Sequence, residues 1–550
     1  MDVLLAPDSS GVQAGVLGSP TERASLSWDE LAVRADGEWA EARWVWPDTA
    51  SLYPPLLARG VRVPRCLDLR LTRTILDRIE PGDVVPVWLE RREETEGTLL
   101  DLPRVEATLD DLAAEVADQA RRIAQVRDPE RLRLLCAAES AGALIAAEMR
   151  ADGMPWSRAR HDEILADRLG PRPPAGFRPR EMDRLATEIA DLLQAPRLNL
   201  DSPVALLKAL RRAGLSVEST SKWELRRLDH PVVEPLLAYK SLARLLAANG
   251  WAWLDAWVAP GREDRADRFR TDYVPGGVVT GRWATSGGGA LQIPKSVRGA
   301  VVADPGWRLV VADAAQIEPR VLAAMARDVA LATAGRGDLY QGLVDSGVVD
   351  TRDHAKIGML SALYGGTSGE AGLLLPRLKR AYPKAVGYVD RAAADGERGQ
   401  VVRTWLGRTS PPPGSAWREV QDRAGQGDAS DSDERRARSQ ARDWGRFTRN
   451  FVVQGTAAEW ALCWMAGLRR RLEALAPVGG STSLAPGRGR PHLVFFLHDE
   501  IVVHTPAEVA EHVRDLVVEA AESAGRLMFG TFPITFPLDV AIVETYDQAG

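Results

Sequence analysis

The spacing of apolar positions changes several times along the chain. Residues 43–79, "RWVWPDTASLYPPLLARGVRVPRCLDLRLTRTILDRI", break short apolar runs with Pro and Gly. They predict strand, helix, turn, strand, helix, the signature of a small α/β domain within residues 1 to about 100. Residues 107–150 are rich in Ala, Leu, Arg and Glu and predict long helices. A second helical block spans about 178–250, interrupted by "RLNLDSPVALLKAL", where Asp201 and Ser202 read as an N-cap before Pro203. From 270 to 312 the pattern is strand-like, with Gly-rich turns such as "SGGG", and helical spacing returns over 316–396. Residues 409–440 are polar, rich in Pro, Gly and Ser, and almost free of large apolar residues, which predicts a mobile loop over much of the segment. Helix resumes at 441–475, followed by a second Gly/Ser/Pro loop at 478–491, an apolar hairpin, a helix over 507–528 and a final strand. There is no internal repeat.

The hairpin, "FFLHDEIVVH", carries Asp499 and Glu500 between the apolar runs Leu493–Leu497 and Ile501–Val503. Burying a carboxylate is costly unless something pairs with it or binds it. The two acids therefore either cap a hairpin in water or hold a cation. Asp313 is a second acid at the end of an apolar strand, after Leu309, Val310, Val311 and Ala312 and just before helical spacing begins. Taken alone it reads best as a helix N-cap. Two strand-tip acids converging on one place would instead suit Mg²⁺, which takes one or two carboxylates plus phosphate oxygens and water. Between them lies "TRDHAKIGMLSALYGG". Arg352, Lys356, Leu360 and Tyr364 recur every fourth residue, a ridge that drifts only ~40° per step along a helix. Gly365 and Gly366 end it. A lone RxxxK is ordinarily a solvated face; here the ridge also fits a phosphate grip with an aromatic ring further along.

Bulk properties add limits. Length alone suggests about three or four folding units. The chain is 45% hydrophobic and 27% charged, as globular proteins are. The N-terminus has no basic region followed by a long apolar core, so no secretory signal is expected, and no run approaches the ~18 apolar residues of a membrane span. Cys66, Cys136 and Cys463 are far apart and read as inert buried thiols, and the seven histidines show no zinc spacing. A net charge of −6 weighs mildly against nucleic acid but leaves room for a local basic groove.

In the order acid strand, basic helix, acid hairpin, the chain resembles the family A DNA polymerases, relatives of bacterial DNA polymerase I. "DAAQIEPR" resembles the family's DYSQIELR, "RDHAKIGMLSALYGG" its RxxxKxxx(F/Y)xxxYG, and "HDEIVVHTP" its HDE strand. "TGRWATSGGGALQIP", "TWLGR" and "RFTRNFVVQGTAAE" are similar to three further motifs, in the family's order, over roughly residues 140–550. The resemblance implies a multidomain α/β chain. An RNase H-like α/β exonuclease-type domain (1–135) precedes a right-hand polymerase (136–550), with the thumb at about 136–270, the palm and its antiparallel sheet at about 271–335 and 441–550, and the fingers at about 336–440.

By that resemblance, Asp313 and Asp499 would bind two Mg²⁺ ions (Mn²⁺ substituting), with Glu500 in support. Arg352 and Lys356 would grip the incoming triphosphate, and Lys356 counts with the acids as catalytic. Leu360 and Tyr364 would lie against the nucleotide, Gln316 beside it, and Glu318 would be the steric gate against a 2′-OH. Arg282, Arg446, Asn450, Gln454 and His498 would contact primer and template. Partners would be primer–template DNA and deoxynucleoside triphosphates, with no membrane. The chain would be a monomer in the bacterial cytoplasm, near the nucleoid, acting in repair or gap filling. Some positions depart from the pattern: Ala314 and Ala315 replace Tyr-Ser, Leu360 replaces an aromatic ring, Tyr340 stands for a phosphate-contacting His, and "LQIP" lacks an Asn. No metal ligand is lost, so activity is expected, slow or unusual in nucleotide preference.

In the N-terminal domain Asp48 and Asp68 are the remaining candidates for exonuclease acids. No DxE precedes them, and "LLCAAESAGALIAAEM" stands where YxxxD belongs, so too few carboxylates are present for a two-metal nuclease. The 5′ nuclease domain of full-length relatives is expected to be absent. Three alternatives stay open: a bifunctional polymerase with residual 3′–5′ exonuclease, a non-catalytic DNA-binding remnant, and an RNA polymerase or reverse transcriptase on a related palm.

Overall fold

The computed structural model describes residues 1–8, 11–19, 21–80, 86–89, 107–261, 267–289, 291, 293–366, 369–478 and 489–549. Most of the loop expected at 478–491, and Ala290 and Gln292 of the Gly-rich motif, lie outside them. The chain divides into two units. The first comprises Met1–Asp152, Thr271–Ser286 and Val310–Ile542; the second comprises Gly153–Arg270, Gly287–Leu309 and Val543–Gly550.

The first unit opens with a five-stranded sheet. Strand Asp2–Asp8 pairs antiparallel with Gly11–Val16 and parallel with Arg43–Trp46, which pairs parallel with Arg65–Asp68; Arg23–Leu26 forms the other edge. Side chains alternate between two cores. Val3, Leu5, Trp44 and Trp46 join Tyr53 in one, and Leu4, Ala6 and Val45 join Leu109 and Leu112 in the other. A sheet covered on both faces needs apolar residues at every position, which is why these strands read as unbroken apolar runs. The predicted strand–helix–turn–strand–helix order over 43–79 is present, with two short helices, Thr49–Leu52 and Pro54–Ala58, in the first helical place.

A second, four-stranded sheet carries the strand-tip acids. Its order is His492–Leu497, Glu500–Pro506, Trp307–Ala314, Leu538–Val543. Helices Asp431–Glu473 and Ala510–Phe529 pack on each other beside it. The predicted mobile loop at 409–440 is not what forms. Ser415–Ala424 is helical, and the long helix starts at Asp431, ten residues before the expected 441. A capping box fixes that start: Ser430 Oγ accepts from Asp433 N at 3.2 Å, and the Asp433 carboxylate accepts from Ser430 N at 3.0 Å. Asp431, Asp433 and Glu434 add negative charge where the helix dipole is positive. The segment looked like a loop because its outer face needs no apolar residue.

The boundary expected at residue 135 falls inside one helix, Pro129–Asp152, which packs on strand Arg65–Asp68 and on helix Asp431–Glu473. Its Glu148 is buried and receives Arg469 Nε at 2.8 Å, Arg469 Nη2 at 2.6 Å and the Tyr53 hydroxyl at 2.5 Å. Arg469 also donates to the carbonyls of Val63 (2.7 Å) and Pro64 (3.1 Å). Burial alone would raise the Glu148 carboxyl, but Arg469 and Arg62 outweigh it and hold it below its ordinary value. Cys66, Cys136 and Cys463 are buried and form no disulfide, and burial raises all three thiols, Cys136 and Cys463 to about 12.

The second unit holds helices Arg158–Leu169, Arg180–Leu192, Pro203–Arg212 and Val233–Asn249, and a three-stranded sheet in which Asp267–Phe269 lies between Met154–Trp156 and Val258–Ala259. Ser202 caps Pro203–Arg212 by accepting from Ala205 N; Asp201 instead accepts from the Tyr239 hydroxyl at 2.9 Å. His161 is a core residue: Trp156 Nε1 donates to its Nδ1 at 3.1 Å, and its Nε2 lies 2.9 Å from Asn249 O. No helix among the described residues is long and apolar enough to cross a membrane.

Removing one partner of a buried ion pair strands the other, at a cost of about 3–5 kcal/mol. Glu148→Leu is therefore expected to lower stability by that amount in a urea titration. A midpoint equal to wild type would show that Arg469 does not depend on Glu148.

Candidate active site

The site is built on the second sheet. Strands His492–Leu497 and Glu500–Pro506 form an antiparallel hairpin in which Leu497 faces Glu500, leaving His498 and Asp499 as its tip. His498 turns the chain with φ +59°. Asp499 N donates to Leu497 O at 2.7 Å, and Asp499 O accepts from Ala314 N at 2.9 Å. That last bond places the tip beside the end of strand Trp307–Ala314, and so beside Asp313. Asp313 is exposed, Asp499 half-buried and Glu500 buried.

Burial, then the negative charge of Asp313, push the Asp499 carboxyl up to about 7. Like charges brought together in partial burial resist ionisation. A hard divalent cation between them would reverse both effects, and a set of carboxylate oxygens is the donor chemistry such a cation takes. The capping explanation for Asp313 does not hold. The N-cap of helix Ile317–Met325 is Gln316, in the left-handed region at φ 52° and ψ 46°.

Glu318, in the first turn of that helix, gathers two distant segments. Its Oε1 accepts from Arg282 Nη2 at 2.7 Å and its Oε2 from the Tyr364 hydroxyl at 2.7 Å. Helix Arg352–Tyr364 supplies the tyrosine. It starts at Thr351, whose side chain accepts from His354 N, and ends at Gly365 with φ 80°. A side chain at 365 would also lie 2.9 Å from Arg446 Cγ, so glycine is required there twice over. Ala355, Met359, Ala362 and Leu363 are buried, while Arg352, Lys356, Leu360 and Tyr364 are exposed as one ridge. Arg352 donates from Nε (3.0 Å) and Nη2 (2.8 Å) to Asp338, and lies over the Tyr340 ring at 5.5 Å. Lys356 has no partner among the described residues.

Arg446, Asn450 and Gln454 follow at intervals of four on helix Asp431–Glu473, the first exposed and the others half-buried. Asn450 Oδ1 is buried without a hydrogen-bond partner among the described residues. Gln316 stands apart from the exposed groups: its Oε1 accepts from Leu339 N (3.0 Å) and Arg320 Nη2 (3.1 Å), so its carbonyl is engaged inside the protein.

Three groups were missed in the sequence. Arg320 is fully buried and donates to the carbonyls of Ala315 (2.8 Å), Gly337 (2.6 Å), Thr535 (3.2 Å) and Gly335. Burial lowers its guanidinium to about 10. A cation inside the apolar stretch "VLAAM" and its flank was the available signal. Asp338 caps Leu339–Asp345 and holds Arg352. Glu459 is buried and accepts from Leu406 N at 2.9 Å and from the Thr404 hydroxyl, fixing the "TWLGR" loop; burial raises its carboxyl to about 7.

The N-terminal acids serve as helix caps. Asp68 is buried and accepts from Leu71 N (2.9 Å), Thr49 N (2.7 Å) and Thr49 Oγ1 (2.8 Å). Asp48 caps Thr49–Leu52 through Ser51 N and pairs with Arg70 at 3.1 Å. Strand Asp2–Asp8 has only Val3, Leu4, Leu5, Ala6 and Pro7 between its terminal acids.

A model of DNA polymerase family A matches residues 178–547. The thermostable DNA polymerase I of Thermus filiformis is 29% identical over 405 residues, covering 66% of this chain and 43% of the relative. DNA polymerase I of Chloroflexus aurantiacus is 28% identical over 375 residues, covering 62% and 35%. The chain thus matches less than half the length of these relatives. A solved structure described as the POL domain of Pol1 from M. smegmatis, in complex with DNA primer-template and dNTP, shares the fold: TM-score 0.69 at 17% identity, over 99% of this chain and 95% of that one.

Replacing Arg320 with Met would remove a buried guanidinium from four carbonyls, that of Gly335 buried and those of Ala315, Gly337 and Thr535 partly so, at up to about 1–3 kcal/mol each before relaxation. A net loss of about 3–5 kcal/mol is expected in a urea titration. A loss below about 1 kcal/mol would mean that the carbonyls find other donors.

Proposed function

The chain belongs to DNA polymerase family A, and from that premise we propose that it is a template-directed DNA polymerase that extends a primer 3′-OH with deoxynucleotides. The observation that carries the proposal is Asp313 and Asp499 side by side at adjoining strand ends, with Asp499 pushed up to about 7. These two residues are the donors we assign to a pair of Mg²⁺ ions. When bound, such ions lower the pKa of the attacking hydroxyl and stabilise the leaving oxygens of the triphosphate.

The rest of the work falls to the protein. Lys356 and Arg352, exposed on one face, meet the triphosphate, and Asp338 holds Arg352 ready at that position. Tyr364 and Leu360 present the ridge surface to the base and sugar. Glu318, fixed by Tyr364 and Arg282, closes the space that a 2′-OH would need. Arg282, Arg446, Asn450, Gln454 and His498 follow primer and template. The side-chain NH2 groups of Asn450 and Gln454 suit minor-groove edges as donors, since the acceptors there are nearly common to all base pairs and so report pair shape rather than sequence.

For the domains we keep the palm and fingers as divided above and assign the thumb to the second unit's Gly153–Arg270, starting it at Gly153 rather than residue 136. The N-terminal sheet, three antiparallel strands followed by two parallel ones, fits an RNase H-like fold. Asp48 and Asp68 are engaged in capping and the first strand carries no interior acid, which supports an exonuclease-like domain without nuclease chemistry.

Primer extension with Mg²⁺ tests the reading. Asp499→Asn is expected to lower the rate at least about a thousandfold, several kcal/mol of lost charge stabilisation, while primer–template affinity stays near wild type. Extension at the wild-type rate would remove Asp499 from the metal site, and bound but unextended DNA with wild type would leave a binding remnant. Shortening of the primer without nucleotides would restore the nuclease. Glu318→Ala is expected to raise ribonucleotide incorporation about tenfold or more, since loss of one close steric or hydrogen-bonding contact costs about 1–3 kcal/mol of discrimination. Unchanged sugar selectivity would rule out the gate.

A further inference from the structure

The segment that looked like a loop exposes a row of arginines. On helix Asp431–Glu473, Arg435, Arg438, Arg442 and Arg446 fall within about 80° of arc at 100° per residue. Gly445 is buried at the edge of that arc, and Ala437 and Thr448 are buried on the opposite side. That side is where helix Ser415–Ala424 packs, with Trp417 Nε1 donating to Gln440 O at 3.2 Å and Gln421 Nε2 to Ala437 O at 3.0 Å. Residues 435–446 contain five arginines and one acid in a chain whose net charge is −6. Their restraints are slight. Arg442 has no partner among the described residues. Arg435 reaches only Asp431 O at 3.0 Å. Arg438 meets Glu434 at 3.2 Å and Arg446 meets Asp443, both solvent-exposed pairs that a phosphate can displace. Beyond Arg446 the same drifting line continues through Asn450 and Gln454.

We propose that Arg435, Arg438 and Arg442 form a rail that binds the sugar–phosphate backbone of DNA, extending the contact begun at Arg446, Asn450 and Gln454. This rests on the polymerase reading. From Arg435 to Arg446 the helix rises about 16 Å, the length of about five nucleotides of one strand. The buried side of this stretch is occupied by protein, so the arginine side is the one left to a partner. Its chemistry is cationic, regularly spaced and free of base-reading amides, and so fits phosphates without selecting sequence.

The test is the triple variant Arg435→Gln, Arg438→Gln, Arg442→Gln, which keeps good helix formers on an exposed face. Binding is read by fluorescence anisotropy over a salt series, on a short primer–template just covering the active site and on long ones extended at the duplex end or at the template overhang. On long DNA the variant is expected to bind more weakly at low salt, with the slope of log affinity against log salt reduced by about 2–3. On short DNA, affinity and single-nucleotide extension should match wild type. Which long DNA responds shows which side of the junction the rail serves. Equal affinity and slope on every DNA, with helicity unchanged by circular dichroism, would overturn the proposal and leave a solvated face. Wild type that neither binds nor extends primer–template would overturn the polymerase reading itself, a separate outcome.

Discussion

Two negative charges held next to each other are the constraint around which the first unit is arranged. The bond from Ala314 N to Asp499 O fixes one strand end against the tip of the neighbouring hairpin. The backbones that carry the two carboxylates cannot separate without breaking that bond. Burial adds to the repulsion, and the result is an acid near neutrality in its tendency to lose a proton. A protein gains nothing in stability from this arrangement. It becomes favourable only when positive charge arrives, so the sheet stores an affinity that a cation releases. The surrounding groups reinforce the same logic. Arg282 pairs with Glu318 and only partly offsets the rise at Asp499, and Lys356 stays exposed on its ridge.

Much of this was legible in the sequence. The apolar runs that end in Asp313 and Asp499 marked two strand tips, and the four-residue interval of Arg352, Lys356, Leu360 and Tyr364 marked one helical face. Local pattern encodes such features because each depends on neighbours within a few residues. Arg320 was not legible. Its acceptors come from residues 315, 335, 337 and 535, and no window along the chain contains them all. Glu459 has the same character, since the loop it fixes lies more than fifty residues earlier. The start of the long helix was missed for a different reason. Its signal was the Ser430–Asp433 capping box rather than apolar spacing, and composition outvoted it.

Gln316 and Asp338 show how the site is kept in order from behind. Gln316 joins the strand-to-helix turn to Leu339 N, and Asp338, one residue earlier, caps the same short helix and grips Arg352. A shift of the turn after Asp313 would therefore be felt at Arg352. The acid tip and the basic ridge are set by one connected group of hydrogen bonds rather than independently, and Arg320 ties that group through Thr535 to the segment leading into strand Leu538–Val543.

The pair formed by Glu148 and Arg469 has a consequence for how this chain can change over generations. Glu148 stands on a helix that touches both the N-terminal sheet and the long helix carrying Asn450 and Gln454, and Arg469 reaches two carbonyls of the N-terminal block. Deleting that block would uncover a cation and an anion that were each fitted to a dry interior. Surface residues of the block can drift with little effect on this pair, yet the block cannot be discarded without exposing it. The block is thereby tied to its neighbour as scaffolding, whatever chemistry it carries itself.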